Sequence, residues 1–335
     1  MMLNVIVASE GEPDVVQLSG GEPTIHPQIF EILDLAKARP IKHLMLNTNG
    51  IRIANDFAFA ERLATYMPDF EIYLQWDSFE EKALNSLRGK DLRAQRMKAM
   101  EHLNRLNLST TLVVTLQKGL NDHEIGKIIE FALAQPCVRG VTFQPTQISG
   151  RLEGFDPQTD RLTNSEVRRL ILEQSPVFQP NDLIPVPCNP DALVMAYALK
   201  TKSGVVPLTR LIDPEVLLNT TKNTIVYEQD EGLHQHVLQM FSTGISVDAM
   251  EQKFQHLLCC LPEIVAPGLS YDNLFRIIIM RFMDAWDFDI RAIKKSCVHI
   301  VSKEGKVIPF ETMNLFYRDE MKPKWEQHMK EMGHA

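Results

Sequence analysis

The chain has 335 residues, 44% of them hydrophobic, enough for a large core or two unequal domains. Its 43 acidic residues outnumber 35 basic ones, giving a net charge of −8 without a Lys/Arg run, so nucleic acid and anionic membrane are poor partners. The longest apolar runs, IVAPGL and IIIM among them, fall far short of the roughly 18 residues that cross a bilayer, so no transmembrane segment is expected.

The opening MMLNVIVASE has no basic n-region of a signal peptide, and five scattered cysteines do not make a disulfide scaffold. A reducing cytoplasm is the expectation. In chain order, DVVQLSGG runs into the helical PQIFEILDLAKA, and KHLMLNTNG into ANDFAFAERLATYM. FEIYLQWD precedes SFEEKALNSL and AQRMKAMEHLNRL. LSTTLVVTLQKG precedes DHEIGKIIEFALAQ, and VRGVTFQPT closes the series. Five strand-like runs, four of them followed by a helix, predict βα units on a parallel sheet. The runs read as apolar on both faces, as strands covered by helices should. Right-handed crossovers then give an open sheet or a barrel.

After residue 151 the pattern changes. TNSEVRRLILEQ opens with Thr163 and Glu166 at capping-box spacing. PVFQPNDLIPVPCNPD holds five prolines in sixteen residues, which predicts an ordered turn or extended segment. It leads into ALVMAYALKT. Helical runs follow at 214–218, 230–241 and 246–261, then YDNLFRIIIMRFMDAW. The end reads as a β-hairpin turning at SKEGK, with Gly305 in the turn. The expected division is a barrel core over 1–160 and a C-terminal helical domain over 161–335 that ends in the hairpin and a tail.

In either an open sheet or a barrel of βα units, ligands meet the C-terminal ends of the strands. Those ends are Ser19-Gly20-Gly21-Glu22-Pro23, Asn47-Thr48-Asn49-Gly50, Gln75-Trp76-Asp77-Ser78, Gln117-Lys118-Gly119 and Gln144-Pro145-Thr146. Gly and Asn at one such end are turn chemistry. Five ends in a row bearing small or hydrogen-bonding groups favour a site. Glycines admit a ligand close to backbone, and Glu22 and Asp77 are suited to accept hydrogen bonds from an ammonium or a hydroxyl.

LSGGEPTIHP, LNTNG, LQWDS, LRGKDL, LVVTLQKGLN and FQPTQISGR, in that order, resemble the radical S-adenosylmethionine (radical SAM) superfamily over residues 10–151. The tail, with PVPC and CVHIVSKEGKVIPFETMNLFYR, is similar to the branch of archaeal proteins that methylate pterins or couple lipid chains. The resemblance implies an α/β fold: a partial (β/α) TIM-like barrel whose first βα unit is missing, with a C-terminal α+β extension. It implies that S-adenosylmethionine binds at Gly20, Gly21, Glu22 and Pro23, its amino group toward Glu22. It also implies contacts from Asn47, Thr48, Asn49, Gln75, Asp77 and Gln144, while Arg88 of LRGK has no clear partner. The implied partners are a small-molecule or lipid substrate and an electron donor such as a flavodoxin or ferredoxin.

One departure weighs against the matches. The family's [4Fe–4S] cluster sits on C-x3-C-x2-C upstream of GGEP, yet no cysteine precedes Cys137 and no trio has that spacing. Only 19 residues precede Gly20, too few for a first strand, cluster loop and first helix, and the remaining strand ends keep ligand-type residues, so a shortened chain is expected rather than a degenerate one, without reductive cleavage of S-adenosylmethionine as it stands. Cys188 and Cys297 are the best pair for an auxiliary cluster, with Cys259 and Cys260 less suited because adjacent helical residues face apart. Free cysteines also serve as small core residues. The expected activity is 5′-deoxyadenosyl radical chemistry for C-methylation or C–C coupling. The alternative is a non-catalytic relative that binds S-adenosylmethionine or a partner. No residue is assigned a catalytic role.

Overall fold

A computed structural model describes residues 1–147, 155–186, 189–201, 204–210, 213–215 and 273–318. A helix, α1 (Met2–Glu10), leads into strand β1 (Val15–Leu18). There follow α2 (Ile29–Lys37), β2 (His43–Thr48), α3 (Ile51–Asn55), α4 (Phe57–Ala64) and β3 (Phe70–Gln75). Next come α5 (Glu81–Arg88), α6 (Arg93–Leu106), β4 (Thr110–Leu116), α7 (Ile125–Ala134), β5 (Val138–Pro145) and α8 (Asn164–Gln174). The helices form where apolar residues recur at helical spacing. Ile29, Leu33 and Ala36 of α2 are buried on one stripe, as are Ile125, Ile128, Ile129 and Ala132 of α7. The capping box at Thr163 and Glu166 starts α8 where the sequence places it.

β1 to β5 pair in parallel and in chain order, the output of consecutive right-handed βα units. The fold is α/β, a partial (β/α) barrel. The sheet does not stop at the expected division near residue 160. β9 (Leu274–Met280) adds in parallel to β5, and β7 (Leu193–Thr201) pairs antiparallel with β9. β6 (Ile184–Pro185) and β8 (Gly204–Pro207) pair with β7, making nine strands in one sheet. ALVMAYALKT and LFRIIIM are therefore strands of the same sheet as GGEP, and the described C-terminal part is not a helical unit of its own. A fully buried strand has no polar face to reveal its period, which is why length alone does not separate it from a buried helix. The hairpin is present: β10 (His299–Val301) pairs with β11 (Val307–Pro309), and Gly305 turns at φ +77°. The helical runs at 230–241 and 246–261, and most of that at 214–218, lie outside the described residues.

The two faces of the sheet differ, contrary to the expectation of strands apolar on both. The helix side carries Val16, Leu44, Leu46, Ile72, Leu74, Leu112, Val114, Val141 and Phe143, all in the main core. By register the inner face carries His43, Met45 and Asn47, then Glu71, Tyr73 and Gln75, then Thr111, Val113 and Thr115, then Thr142 and Gln144. Arg276 of β9 donates to Glu71 of β3 at 2.6 Å although the two strands lie three places apart in the sheet. A flat sheet would separate them by about 14 Å, so the sheet is curled around its inner face.

His43 completes the bottom of that face, its Nε2 3.1 Å from Glu71 Oε2. His43, Glu71 and Arg276 are all buried. Burial opposes ionisation of Glu71, but the Arg276 charge and the His43 bond outweigh it and hold the carboxyl well below its usual range.

Candidate functional site

The GGEP segment is shaped by its backbone. Gly20 at φ +102° and Gly21 at φ +50° occupy conformations that side chains rarely adopt, and nothing lies within 4 Å of where a Cβ would stand on either. The space above them is open. Pro23 then begins a single 3-10 turn, Pro23–Ile25, capped by Glu22.

Glu22 ties this turn to the end of β2. Its Oε1 accepts from Thr24 N at 3.1 Å, Thr24 Oγ1 at 2.6 Å and Thr48 Oγ1 at 2.7 Å, while Oε2 accepts from Asn49 N at 2.7 Å. All four donors are neutral. Oε2 thus keeps acceptor capacity on a half-buried side chain, the geometry an ammonium needs. Thr48 and Asn49 spend their own side chains locally. Thr48 Oγ1 accepts from Gly50 N at 3.1 Å, and Asn49 Oδ1 accepts from Ile51 N at 2.9 Å to open α3. Gly50 favours glycine, since at φ +79° a Cβ would stand 2.7 Å from Leu74 Cδ1.

Three amides line the inner rim. Asn47 Nδ2 donates to Ser19 Oγ at 3.2 Å, and Gln75 Nε2 donates to Asn47 Oδ1 at 3.4 Å. Gln144 Nε2 donates to the hydroxyl of Tyr73 at 3.3 Å, across β4. Among the described residues no hydrogen bond engages Gln75 Oε1 or Gln144 Oε1. Below them Tyr73 packs with Met45, Val113 and Val15, and burial pushes its phenol up to about 12. Sequence reasoning passed over Tyr73, although the alternation in FEIYLQ, with Glu71, Tyr73 and Gln75 on one face, carries the signal.

Asp77 is brought to the same pole, but its carboxylate is sealed. Arg88 grips it in a fork, Nε to Oδ2 and Nη2 to Oδ1, both at 2.8 Å. Arg96 Nη2 donates to Oδ2 at 2.8 Å, and Thr115 N donates to Oδ1 at 3.0 Å. Asp77 sits at φ +58° with 0% side-chain exposure, and Asn121 Nδ2 holds its carbonyl at 2.9 Å. Burial works against the carboxylate, yet the Arg88 fork, Arg96 and the Thr115 amide together lower its pKa. The partner of Arg88 that the sequence left open is Asp77.

These strand ends bring together open space over two glycines, a carboxylate with spare acceptor capacity and a row of half-exposed amides. The described residues assemble no ligand set for an iron–sulfur cluster. Among the described residues no group of three His, Cys, Asp or Glu side chains is placed to hold a metal ion. Cys137 is buried, with Sγ 3.7 Å from Met100 Sδ, while Cys297 is exposed. Cys188, Cys259 and Cys260 lie outside the described residues.

Residues 2–132 match the Radical SAM superfamily. Over 94% of its length the chain is 27% identical to the 7,8-dihydro-6-hydroxymethylpterin dimethyltransferase of Methanocaldococcus jannaschii, of which it covers 69%. Over 35% of its length it is 33% identical to a probable GTP 3′,8-cyclase of Pyrococcus abyssi, and it spans only 37% of that protein. Among solved structures, SuiB of Streptococcus suis aligns with a TM-score of 0.40 at 18% identity, over 48% of this chain and 35% of that one. The similarity to the radical SAM superfamily thus lies over residues 2–132. Among the described residues no helix is long and apolar enough to cross a membrane.

Proposed function

We propose that this chain carries the S-adenosylmethionine-binding face of a protein that acts on a pterin-like heterocycle, in a reaction of the C-methylating kind. The observation that carries the reading is the Glu22 clamp beneath the open space of Gly20 and Gly21. Glu22 Oε2 receives the methionyl ammonium, the backbone at Gly20 and Gly21 meets the ligand without side-chain obstruction, and the Asn47, Gln75 and Gln144 amides take its hydroxyls and ring nitrogens. The likeness to the pterin dimethyltransferase over 94% of the chain supports the choice of substrate. Pterin and guanine share a flat 2-amino-4-oxo ring, which suits amide oxygens above the apolar floor of Met45 and Val113.

In the superfamily a reduced cluster supplies the electron that makes the radical, delivered by a carrier of flavodoxin or ferredoxin type. This sequence has no C-x3-C-x2-C. That same observation favours a second reading, in which the chain binds S-adenosylmethionine without chemistry. Calorimetric titration with S-adenosylmethionine tests both. Binding that weakens about tenfold in Glu22→Gln supports the site, by the usual worth of a charge-assisted bond. Failure of the unaltered chain to bind would overturn both readings.

A further inference from the structure

We propose that Tyr73 sets the selectivity of this site for its heterocyclic substrate: it holds the Gln144 amide with the oxygen toward the ligand, so the ring seated there must present hydrogen-bond donors. The inference rests on the pterin reading above and names the residue that makes the site prefer a 2-amino ring over a 2-oxo ring.

Tyr73 is an anchor, not a ligand group. It is 7% exposed and packs with Met45, Val113 and Val15. In register it stands beside Thr111 of β4 and, through Thr111, beside Gly140 of β5. Gln144 lies four residues farther along β5, so the phenol leans along the strands to meet it at the rim. Burial pushes the phenol up to about 12, against smaller pulls from Thr142, Arg276 and Gln144. It therefore stays a neutral hydroxyl at neutral pH, and its hold on Gln144 is constant there.

A glutamine amide has two unlike ends, one that donates and one that accepts. The end that is tied down decides which end a ligand meets. Gln144 Nε2 is spent on the Tyr73 hydroxyl at 3.3 Å, and among the described residues no hydrogen bond engages its Oε1. Gln75, two residues after Tyr73 on the same face of β3, is tied in the same sense. Its Nε2 donates to Asn47 Oδ1 at 3.4 Å, and Asn47 Nδ2 donates to Ser19 Oγ at 3.2 Å. Both glutamines thus leave a carbonyl oxygen for the ligand. The two tethers differ in stiffness. That of Gln75 runs through an exposed amide–hydroxyl pair, whereas that of Gln144 ends on a packed phenol. Gln144 is the amide less able to turn, and it is the one that discriminates.

An exocyclic amine beside a ring N–H donates to such an oxygen. An oxo group in the place of the amine sets oxygen against oxygen and leaves the Gln144 acceptor unmet.

The test titrates the full chain by calorimetry with two pteridines of one shape, pterin (2-amino-4-oxo) and lumazine (2,4-dioxo). The unaltered protein is expected to bind pterin about tenfold more tightly, the usual worth of one hydrogen bond. Tyr73→Phe keeps the ring and its packing and removes the hydroxyl alone. The Gln144 amide is then free to turn toward either pteridine, so the ratio should fall to about threefold or less, with lumazine gaining affinity. Loosened packing by itself would weaken both pteridines by one factor and leave the ratio as it was. Gln144→Leu should also erase the ratio, but by weakening pterin. The inference is overturned if the unaltered chain binds the two rings equally or prefers lumazine, or if folded Tyr73→Phe keeps the original ratio. Binding of neither ring to the unaltered chain would overturn the pterin reading itself and the inference with it, while S-adenosylhomocysteine binding reports separately on the Glu22 side.

Discussion

Glu22 and Asp77 stand at the ends of two strands of one sheet, and both follow a run that ends in glycine or an amide. Their surroundings differ in kind. Glu22 is half-buried and held by hydroxyls and backbone amides, so its charge is not neutralised. Asp77 is sealed and held by two guanidinium groups and an amide, so its charge is spent inside the protein. The carboxylate that keeps its charge is the one suited to a ligand, and the other builds the frame.

The largest expected effect follows from emptying the frame. Asp77→Ala leaves Arg96 buried without its carboxylate, a situation that costs roughly 3–5 kcal/mol. Chemical denaturation should report a loss of that size. A loss below about 1 kcal/mol would put Asp77 on the same footing as Glu22 and erase the contrast.

Acid should reach the same contrast by another route. The folded-state pKa of Asp77 is lowered, so its contribution is present above the ordinary unfolded carboxyl value, about 3.9, and is lost as pH falls through the folded value. The stability difference between the unaltered chain and Asp77→Asn should therefore hold through neutral pH and shrink below about pH 4. A difference that stays constant from pH 7 to pH 2.5 would mean that the carboxylate charge is not what holds the frame.

The strand ends, the βα alternation and the hairpin were legible in the sequence because turn chemistry and apolar runs are local. What was not legible is pairing. Nothing local joins Asp77 to Arg88 and Arg96, 11 and 19 positions later, or Glu71 to Arg276, 205 positions later. Only a helix that returns across the strand end, or a sheet that curls, makes these contacts. Asp77 and Glu22 look alike in sequence for this reason. The alternation within HLMLNT and FEIYLQ was local and readable, and it marks the polar inner face that an all-apolar reading hid.

On the Glu22 side the effect on folding should be smaller. Glu22→Gln keeps one acceptor oxygen and turns an amide toward groups that donate, so about 1–3 kcal/mol is expected. Thermal unfolding of Glu22→Gln beside Asp77→Ala checks the order. A Glu22→Gln loss equal to that of Asp77→Ala would make Glu22 a frame residue too.

Gly20→Ala should do least to folding and most, relative to its size, to binding. Its φ of +102° strains any L residue, for which about 1–2 kcal/mol is the usual scale, but the added Cβ meets nothing within 4 Å. Gly50→Ala is the control, because there the same kind of strain is joined by a 2.7 Å contact with Leu74 Cδ1 and the cost should be higher. If the space over Gly20 is where the ligand lies, Gly20→Ala weakens S-adenosylhomocysteine while Gly50→Ala, though less stable, binds it at native affinity under conditions where both variants are folded. Loss of binding that tracks loss of stability in the two variants would mean that the glycines shape the turn and nothing more.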